Sequence, residues 1–222
     1  MVATVDDPEA LGEHYFTARP ASPSQRRALR VHLGRRDVEV ESAAGIFSPR
    51  RVDLGTEVLL RSVPDPPAVG DLLDLGCGWG PIALTLAMAA PRATVWALDV
   101  NERALDLTRR NADRLGLANI RAVTPDAVPD PVRFAAIWSN PPIRVGKEAL
   151  HALLLTWLDR LTPEGEAFVV VQRNLGADSL HRWLEERARG GGSGAGGSGA
   201  GGSVARAASA KGYRVLRVTA QR

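Results

Sequence analysis

Hydrophobic residues follow two alternating spacings along most of the chain, one typical of buried strands and one typical of helices. Short apolar segments predict five strands, at residues 72–75, 93–99, 120–123, 134–139 and 166–172. Helical segments follow at residues 81–90, 102–115, 147–161 and 179–187, and a last alternating segment, 212–219, predicts one more strand. Repeated strand–helix units predict a doubly wound, Rossmann-like α/β fold, whose parallel sheet is covered on both faces and binds ligands at the carboxyl ends of its strands.

The first 68 residues show a different pattern. Residues 1–27 predict a mostly irregular arm, and residues 28–42 alternate on both sides of a polar turn, which predicts a short β-hairpin. A short helix at 56–61 then ends before a proline-rich segment. We therefore divide the chain into residues 1–68, an arm and hairpin that pack on the core, and residues 69–222, the core with the ligand site.

A glycine-rich tract at residues 190–203 interrupts the core pattern. It contains only glycine, serine and alanine, so no side chain in it can anchor a core, and such composition predicts a flexible coil. The tract is either a natural low-complexity insertion or an engineered linker that replaces a segment. We assign it no role in chemistry.

Composition narrows the class of protein. The chain has 222 residues, of which 45% are hydrophobic and 24% charged, as in ordinary globular proteins. No apolar run is long enough to span a membrane, and the acidic N-terminus lacks the core of a signal peptide. The single cysteine, Cys77, excludes an internal disulfide and fits a reducing compartment, so we expect a cytoplasmic protein. A net charge of +3 favours a nucleic-acid partner only modestly.

A glycine-rich turn after the first core strand carries the clearest chemical signal. The strand ends in Asp74, and Gly76, Gly78 and Gly80 follow at every second position. Asp99 ends the next strand, 23 residues after Gly76. This spacing predicts a strand, a tight turn that a ligand can approach, a helix, and a carboxylate that accepts hydrogen bonds from ribose hydroxyls.

The spacing of the glycines distinguishes between nucleoside cofactors. Dinucleotide sites have the pattern G-x-G-x-x-G, and here the third glycine comes one position early. Asp74 would repel a pyrophosphate but suits an ammonium group, directly or through water. The pattern resembles motif I of the class I S-adenosylmethionine (SAM) methyltransferases, which implies SAM as cofactor and Asp74, Gly76, Gly78, Gly80 and Asp99 as its binding residues. The alternative is a glycine-rich turn that only connects a strand to a helix.

The segment Asn140-Pro141-Pro142-Ile143 follows a later strand. It resembles motif IV of methyltransferases that modify a planar nitrogen, in which the Asn side-chain oxygen and the carbonyl of the next proline hold the amine. The resemblance implies that Asn140, Pro141 and Pro142 are catalytic, with Asn140 also next to the cofactor, and that Asp126 accepts a hydrogen bond from the adenine amino group. The alternatives are a plain proline turn and a plain loop acid.

Three segments resemble the bacterial small-subunit ribosomal RNA guanine-N2 methyltransferases of the RsmC type. They are GIFSPRRVDLGTEVLL at 45–60, IWSNPPIRVGKEALHALL at 137–154 and KGYRVLRV at 211–218. The resemblance implies methyl transfer from SAM to a guanine exocyclic amine in 16S ribosomal RNA, with ribosomal RNA or the small subunit as partner. Two alternatives stay open: methylation of a protein glutamine or a small molecule, and a non-catalytic SAM-binding module.

Four residues are candidates for contact with the substrate. Phe47 could stack on a base, although a core phenylalanine is the simpler interpretation. Ile143 could press on a flipped base, and Arg144 and Lys147 could hold phosphate, although charges at the start of a helix are often only solvated. The four histidines are scattered without metal-ligand spacing, so no metal is expected.

Overall fold

The computed structural model describes residues 26–190 and 202–220. In chain order, the strands within this part are β1 (Arg26–Leu33), β2 (Arg36–Ala43), β3 (Asp71–Leu75), β4 (Thr94–Leu98), β5 (Ile120–Val123), β6 (Phe134–Ser139), β7 (Leu161–Gln172), β8 (Gly202–Ala210) and β9 (Tyr213–Ala220). The α-helices are α1 (Leu54–Ser62), α2 (Pro81–Ala89), α3 (Glu102–Arg114), α4 (Lys147–Leu158) and α5 (Ala177–Gly190).

Seven strands form one sheet in the order β5-β4-β3-β6-β7-β9-β8. The first five of these pair in parallel, and β9 is antiparallel to both β7 and β8. Alternate residues of each central strand enter two separate apolar clusters: Leu72 packs with residues of α1, α2 and α3, whereas Leu73 packs with residues of α4 and α5. The helices therefore cover both faces, and the prediction of a doubly wound α/β fold is confirmed.

The predicted N-terminal hairpin is present as β1 and β2, which pair antiparallel with Val31 opposite Val38. Its inner face joins an apolar cluster with residues of α2, α3 and the glycine-rich turn, among them Leu33, Val40 and Trp79. The buried Asn111 on α3 also binds the hairpin: its Oδ1 accepts from the Glu41 N–H at 2.6 Å, and its Nδ2 donates to the carbonyls of Glu41 and Trp79. One amide thus joins the hairpin to the core.

Three parts of the fold differ from the sequence prediction. The edge strand β8 was not predicted, because GSVARAASA has no apolar alternation and is mostly exposed. Helix α4 ends at Leu158 rather than at 161, and β7 begins at Leu161 rather than at 166, with a register shift opposite the start of β6. Gly202 and Ser203 of the glycine-rich tract belong to β8 and Gly190 to α5, whereas residues 191–201 lie outside the described residues.

In the described ranges, 26–190 and 202–220, no helix is long and apolar enough to cross a membrane.

Candidate active site

The carboxyl ends of β3, β4 and β6 meet at one edge of the sheet, and the glycine loop (residues 76–80) crosses it. The N–H groups of Gly76 and Cys77 donate to the Leu98 carbonyl at the end of β4 at 2.9 and 2.8 Å. Gly76 and Gly78 have φ values of +83° and +56°, which side-chain-bearing residues rarely adopt. A Cβ at Gly78 would meet no atom within 4 Å, so a ligand can approach the bare backbone there.

The glycine loop lies against the Asn-Pro-Pro turn (residues 140–142). A Cβ at Gly76 would lie 3.9 Å from Pro142 Cδ and 4.0 Å from the Asn140 carbonyl oxygen. The last residue of β6, Ser139, also donates its hydroxyl to the Leu75 carbonyl at 2.7 Å. Two motifs that are more than 60 residues apart in the sequence are therefore direct neighbours.

Asp99 lies beside the glycine loop, as the spacing predicted. Its Oδ2 accepts from the Gly78 N–H and its Oδ1 from the Asn101 N–H, both at 2.9 Å. Burial raises the pKa of this carboxyl, and hydrogen bonds from the Asn101, Gly78 and Val100 N–H groups oppose the increase. These hydrogen bonds fix the Asp99 carboxylate, and each of its oxygens can accept more than one hydrogen bond.

Asp74 lies behind the glycine loop and not in the cleft. Its exposed fraction is 0%, and its Oδ2 accepts from the Ala83 N–H in the first turn of α2 at 2.8 Å. Its Oδ1 is buried and has no hydrogen-bond partner among the described residues. Burial raises the pKa of Asp74 to about 8, although the Ala83 hydrogen bond lowers it. The structure therefore does not support direct contact between Asp74 and an ammonium group, which the sequence interpretation allowed.

An open cleft lies at these strand ends. Its walls are the glycine loop with the start of α2, Asn140, and four residues that precede or begin α1: Phe47, Ser48, Asp53 and Thr56. Phe47 is 51% exposed at this cleft, so the alternative of a core phenylalanine is wrong. Cys77 also lines the cleft, but it is buried and its thiol has a pKa well above the ordinary value, mainly because of burial. The thiol is therefore protonated and unreactive at neutral pH.

Asn140 is anchored by two residues that the sequence interpretation missed. Its Nδ2 donates to Asp53 Oδ2 at 2.8 Å and to Thr56 Oγ1 at 3.0 Å. Asp53 is also the N-cap of α1, where the same Oδ2 accepts from the N–H groups of Gly55 and Thr56 at 2.7 and 3.3 Å. An aspartate just before a helix is a recognisable cap signal, but its contact with a residue 87 positions later is not visible in the sequence.

The other candidate residues lie around this centre. Ile143 is half-buried and packs on the core cluster with α4 and α5. Lys147 is exposed at the start of α4, and the Arg144 side chain lies outside the described part of the structure. Asp126 is exposed in a short 3₁₀ turn after β5, where a hydrogen bond with Thr124 lowers its pKa. It does not line the cleft.

Among the described residues, no group of three or more His, Cys, Asp and Glu side chains is arranged to hold a metal ion.

The glycine loop and the anchored carboxamide of Asn140 line the cleft at the carboxyl edge of the doubly wound sheet, and Asp99 lies beside that loop. The class that this fold and site define is the SAM-dependent methyltransferases. Within that class, the chain belongs to the methyltransferase small domain family, whose sequence pattern matches residues 37–189.

Three known proteins illustrate the similarity. The uncharacterized protein YbxB of Bacillus subtilis is 37% identical over 79% of this chain and 89% of its own length. The ribosomal RNA small subunit methyltransferase C of Stutzerimonas stutzeri is 33% identical over 68% of this chain, which spans about half (47%) of that relative. The Thermus thermophilus (T. thermophilus) 16S rRNA N2 G1207 methyltransferase (RsmC), solved with AdoMet and guanosine, superposes with a TM-score of 0.73 over 91% of this chain and 52% of its own, at 24% identity.

Proposed function

We propose that this protein is a cytoplasmic N-methyltransferase that transfers a methyl group from SAM to the exocyclic amine of a guanine in small-subunit ribosomal RNA. The observation that carries the proposal is the anchored amide of Asn140 next to the glycine loop. The relatives named ribosomal RNA small subunit methyltransferase C support this choice of substrate. Because the chain spans only about half of their length, their substrate remains a proposal for this protein.

The residues around the glycine loop fit SAM. Asp99 would accept hydrogen bonds from the ribose hydroxyls, and Gly76, Gly78 and Gly80 would let the cofactor lie against the backbone. The unpaired Oδ1 of Asp74 would bind the ammonium end of the cofactor only through a bridging water. Asp126, in its exposed turn after β5, would accept a hydrogen bond from the adenine amino group. SAM supplies a methyl group on a sulfonium that is already a good leaving group, so neither a metal nor a strong base is required of the protein.

Asn140 and Pro141 would orient the attacking nitrogen. The amine lone pair of guanine is delocalised into the ring, so the free amine is a poor nucleophile. The Asn140 Oδ1 and the Pro141 carbonyl would accept hydrogen bonds from its two N–H groups and direct the lone pair at the methyl carbon. The N–CH₃ bond would form as the S–CH₃ bond of SAM breaks, and the nitrogen would then release one proton to solvent. Pro141 and Pro142 restrict the backbone and hold that carbonyl in place. Positioning of this kind supplies much of the rate in an in-line transfer.

The substrate base would lie between the Asn-Pro-Pro turn and the exposed ring of Phe47. Stacking on an aromatic ring stabilises a base that has left its own stack, largely independently of which base it is. Lys147, exposed just after the turn, and Arg144 would contribute positive charge for the RNA backbone.

The test is the variant Asn140→Ala. We expect it to bind SAM within about threefold of the wild-type affinity, measured by titration calorimetry, and to lose at least about 100-fold in turnover. Turnover close to the wild-type value would exclude amine positioning by Asn140. A loss of SAM affinity that matches the loss of turnover would instead assign Asn140 to cofactor binding alone.

A further inference from the structure

Asp53 makes the orientation of the Asn140 amide unambiguous. The oxygen and nitrogen of a carboxamide have similar shapes, so a hydrogen-bond partner must decide which of the two faces which way. A carboxylate accepts hydrogen bonds and cannot donate them, so the atom 2.8 Å from Asp53 Oδ2 has to be Nδ2. The other contact, with the Thr56 hydroxyl, does not decide the orientation, because a hydroxyl can donate as well as accept.

Asp53 is itself fixed by the first turn of α1. Its Oδ2 accepts from the N–H groups of Gly55, at 2.7 Å, and Thr56, which both belong to the first turn of this helix. Gly55 leaves no room for a side chain there: a Cβ at this position would lie 2.8 Å from the Tyr213 ring and 2.9 Å from Asp53 Oδ2. The pKa of the partly buried Tyr213 phenol is raised, by burial first and then by the charge of Asp53. Helix α1, Tyr213 and Asp53 therefore form one packed support.

From this arrangement we propose that Asp53 is a positioning residue, which holds the Asn140 amide with its nitrogen toward α1 and its oxygen toward the reacting amine. This proposal rests on the proposed function, because the Asn140 oxygen has a catalytic role only if the group that receives the methyl is an amine. It assigns Asp53 two tasks, the capping of α1 and the orientation of Asn140, that substitutions can separate.

Two substitutions separate the tasks. Serine is a good N-cap residue but is shorter than aspartate, so Asp53→Ser keeps the cap and removes the acceptor next to Asn140. Asparagine is also a good cap and retains an oxygen at full reach, so Asp53→Asn keeps a neutral acceptor. The matched control is Asp65→Ser, an exposed position in the segment before β3, at the opposite edge of the sheet from the cleft.

We expect Asp53→Ser to lower kcat by at least about tenfold, since small displacements of a positioning group have large effects on rate. KM for RNA and the affinity for SAM should change by less than about threefold, and Asp53→Asn should recover at least about threefold of the lost kcat. Asp65→Ser should match the wild type. If Asp53→Ser keeps wild-type kcat, if only KM changes, or if Asp53→Asn recovers nothing, the positioning role is refuted.

A measurement without catalysis separates this proposal from the proposed function. In ¹⁵N-labelled protein, the side-chain NH₂ signals of Asn140 are the pair that disappears in Asn140→Ala. We expect these signals to move in Asp53→Ser and their hydrogens to exchange faster with solvent, because the carboxylate no longer accepts from Nδ2. Unchanged signals would refute the orientation by Asp53 whether or not the protein methylates RNA. Changed signals in a protein that transfers no methyl to RNA would support the orientation and refute the function.

Discussion

Replacing the buried Asp74 with asparagine should change how the stability of the protein depends on pH. In the folded protein the pKa of Asp74 is about 8, against an ordinary value of 3.8, and desolvation by burial is the largest cause. Asparagine has nearly the same shape, can still accept from the Ala83 N–H, and does not titrate. The variant therefore removes the titration of this site and preserves most of its contacts.

The sign follows from which state binds the proton. Between pH 4 and pH 8 the folded protein keeps Asp74 protonated while the unfolded chain releases the proton, so folding must take up a proton. The contribution of Asp74 to stability is thus fully present below its unfolded pKa and is lost as pH rises toward its folded pKa. From pH 5 to pH 7 this contribution to the free energy of unfolding falls by about 3 kcal/mol in the wild type. In Asp74→Asn it does not change, because asparagine does not titrate.

The assay is equilibrium unfolding in urea at pH 5, 6 and 7 for the wild type and for Asp74→Asn. The diagnostic quantity is the difference in unfolding free energy between the two proteins, which should shift by about 3 kcal/mol in favour of the variant over this range. The exposed Asp65→Asn serves as control and should show no such shift. A wild-type–variant difference that is constant with pH would refute the raised pKa and the protonated state of Asp74.

Three further predictions concern the cofactor, the hairpin and the substrate. Asp99→Ala should weaken SAM binding at least about tenfold in titration calorimetry, and unaltered affinity would exclude the ribose contact. Asn111→Ala should lower the free energy of unfolding by about 2–4 kcal/mol, because the Glu41 backbone and the Trp79 carbonyl lose their buried partner; a change below about 1 kcal/mol would contradict this. Phe47→Ala should raise KM for RNA at least about fivefold with SAM affinity unchanged, and an unchanged KM would exclude stacking.

The sequence predicted that the glycine loop and the Asn-Pro-Pro turn lie close together, because the carboxyl ends of parallel strands lie at one edge of the sheet. The glycine loop and the Asn-Pro-Pro turn each follow a strand, so the fold class alone brings them to the same side. Their direct contact, with Gly76 against Pro142, agrees with that argument. The hairpin was predicted for a similar reason, since its alternation is local and strong.

The sequence did not predict features that depend on long-range packing. The hydrogen bond between Asp53 and Asn140 joins a helix cap to a strand end 87 residues away, and no local pattern encodes it. In the sequence, Asp74 next to the glycine-rich turn favoured a contact with the ligand. Its burial could not be predicted, because it depends on how α2 packs over β3. The strand β8 lacks apolar alternation and is held by its pairing with β9. The boundary at residue 68 and the roles of the individual site residues remain predictions.

The most direct test of the central claim is the transfer of a labelled methyl group from SAM to unmethylated small-subunit ribosomal RNA. Naked RNA and assembled small subunits should both be offered, and the product nucleosides identified after digestion. We predict label in N2-methylguanosine with the wild type and its loss with Asn140→Ala. Label in a protein glutamine or a small molecule, or SAM binding without any label in RNA, would contradict the assignment of guanine in ribosomal RNA as the substrate.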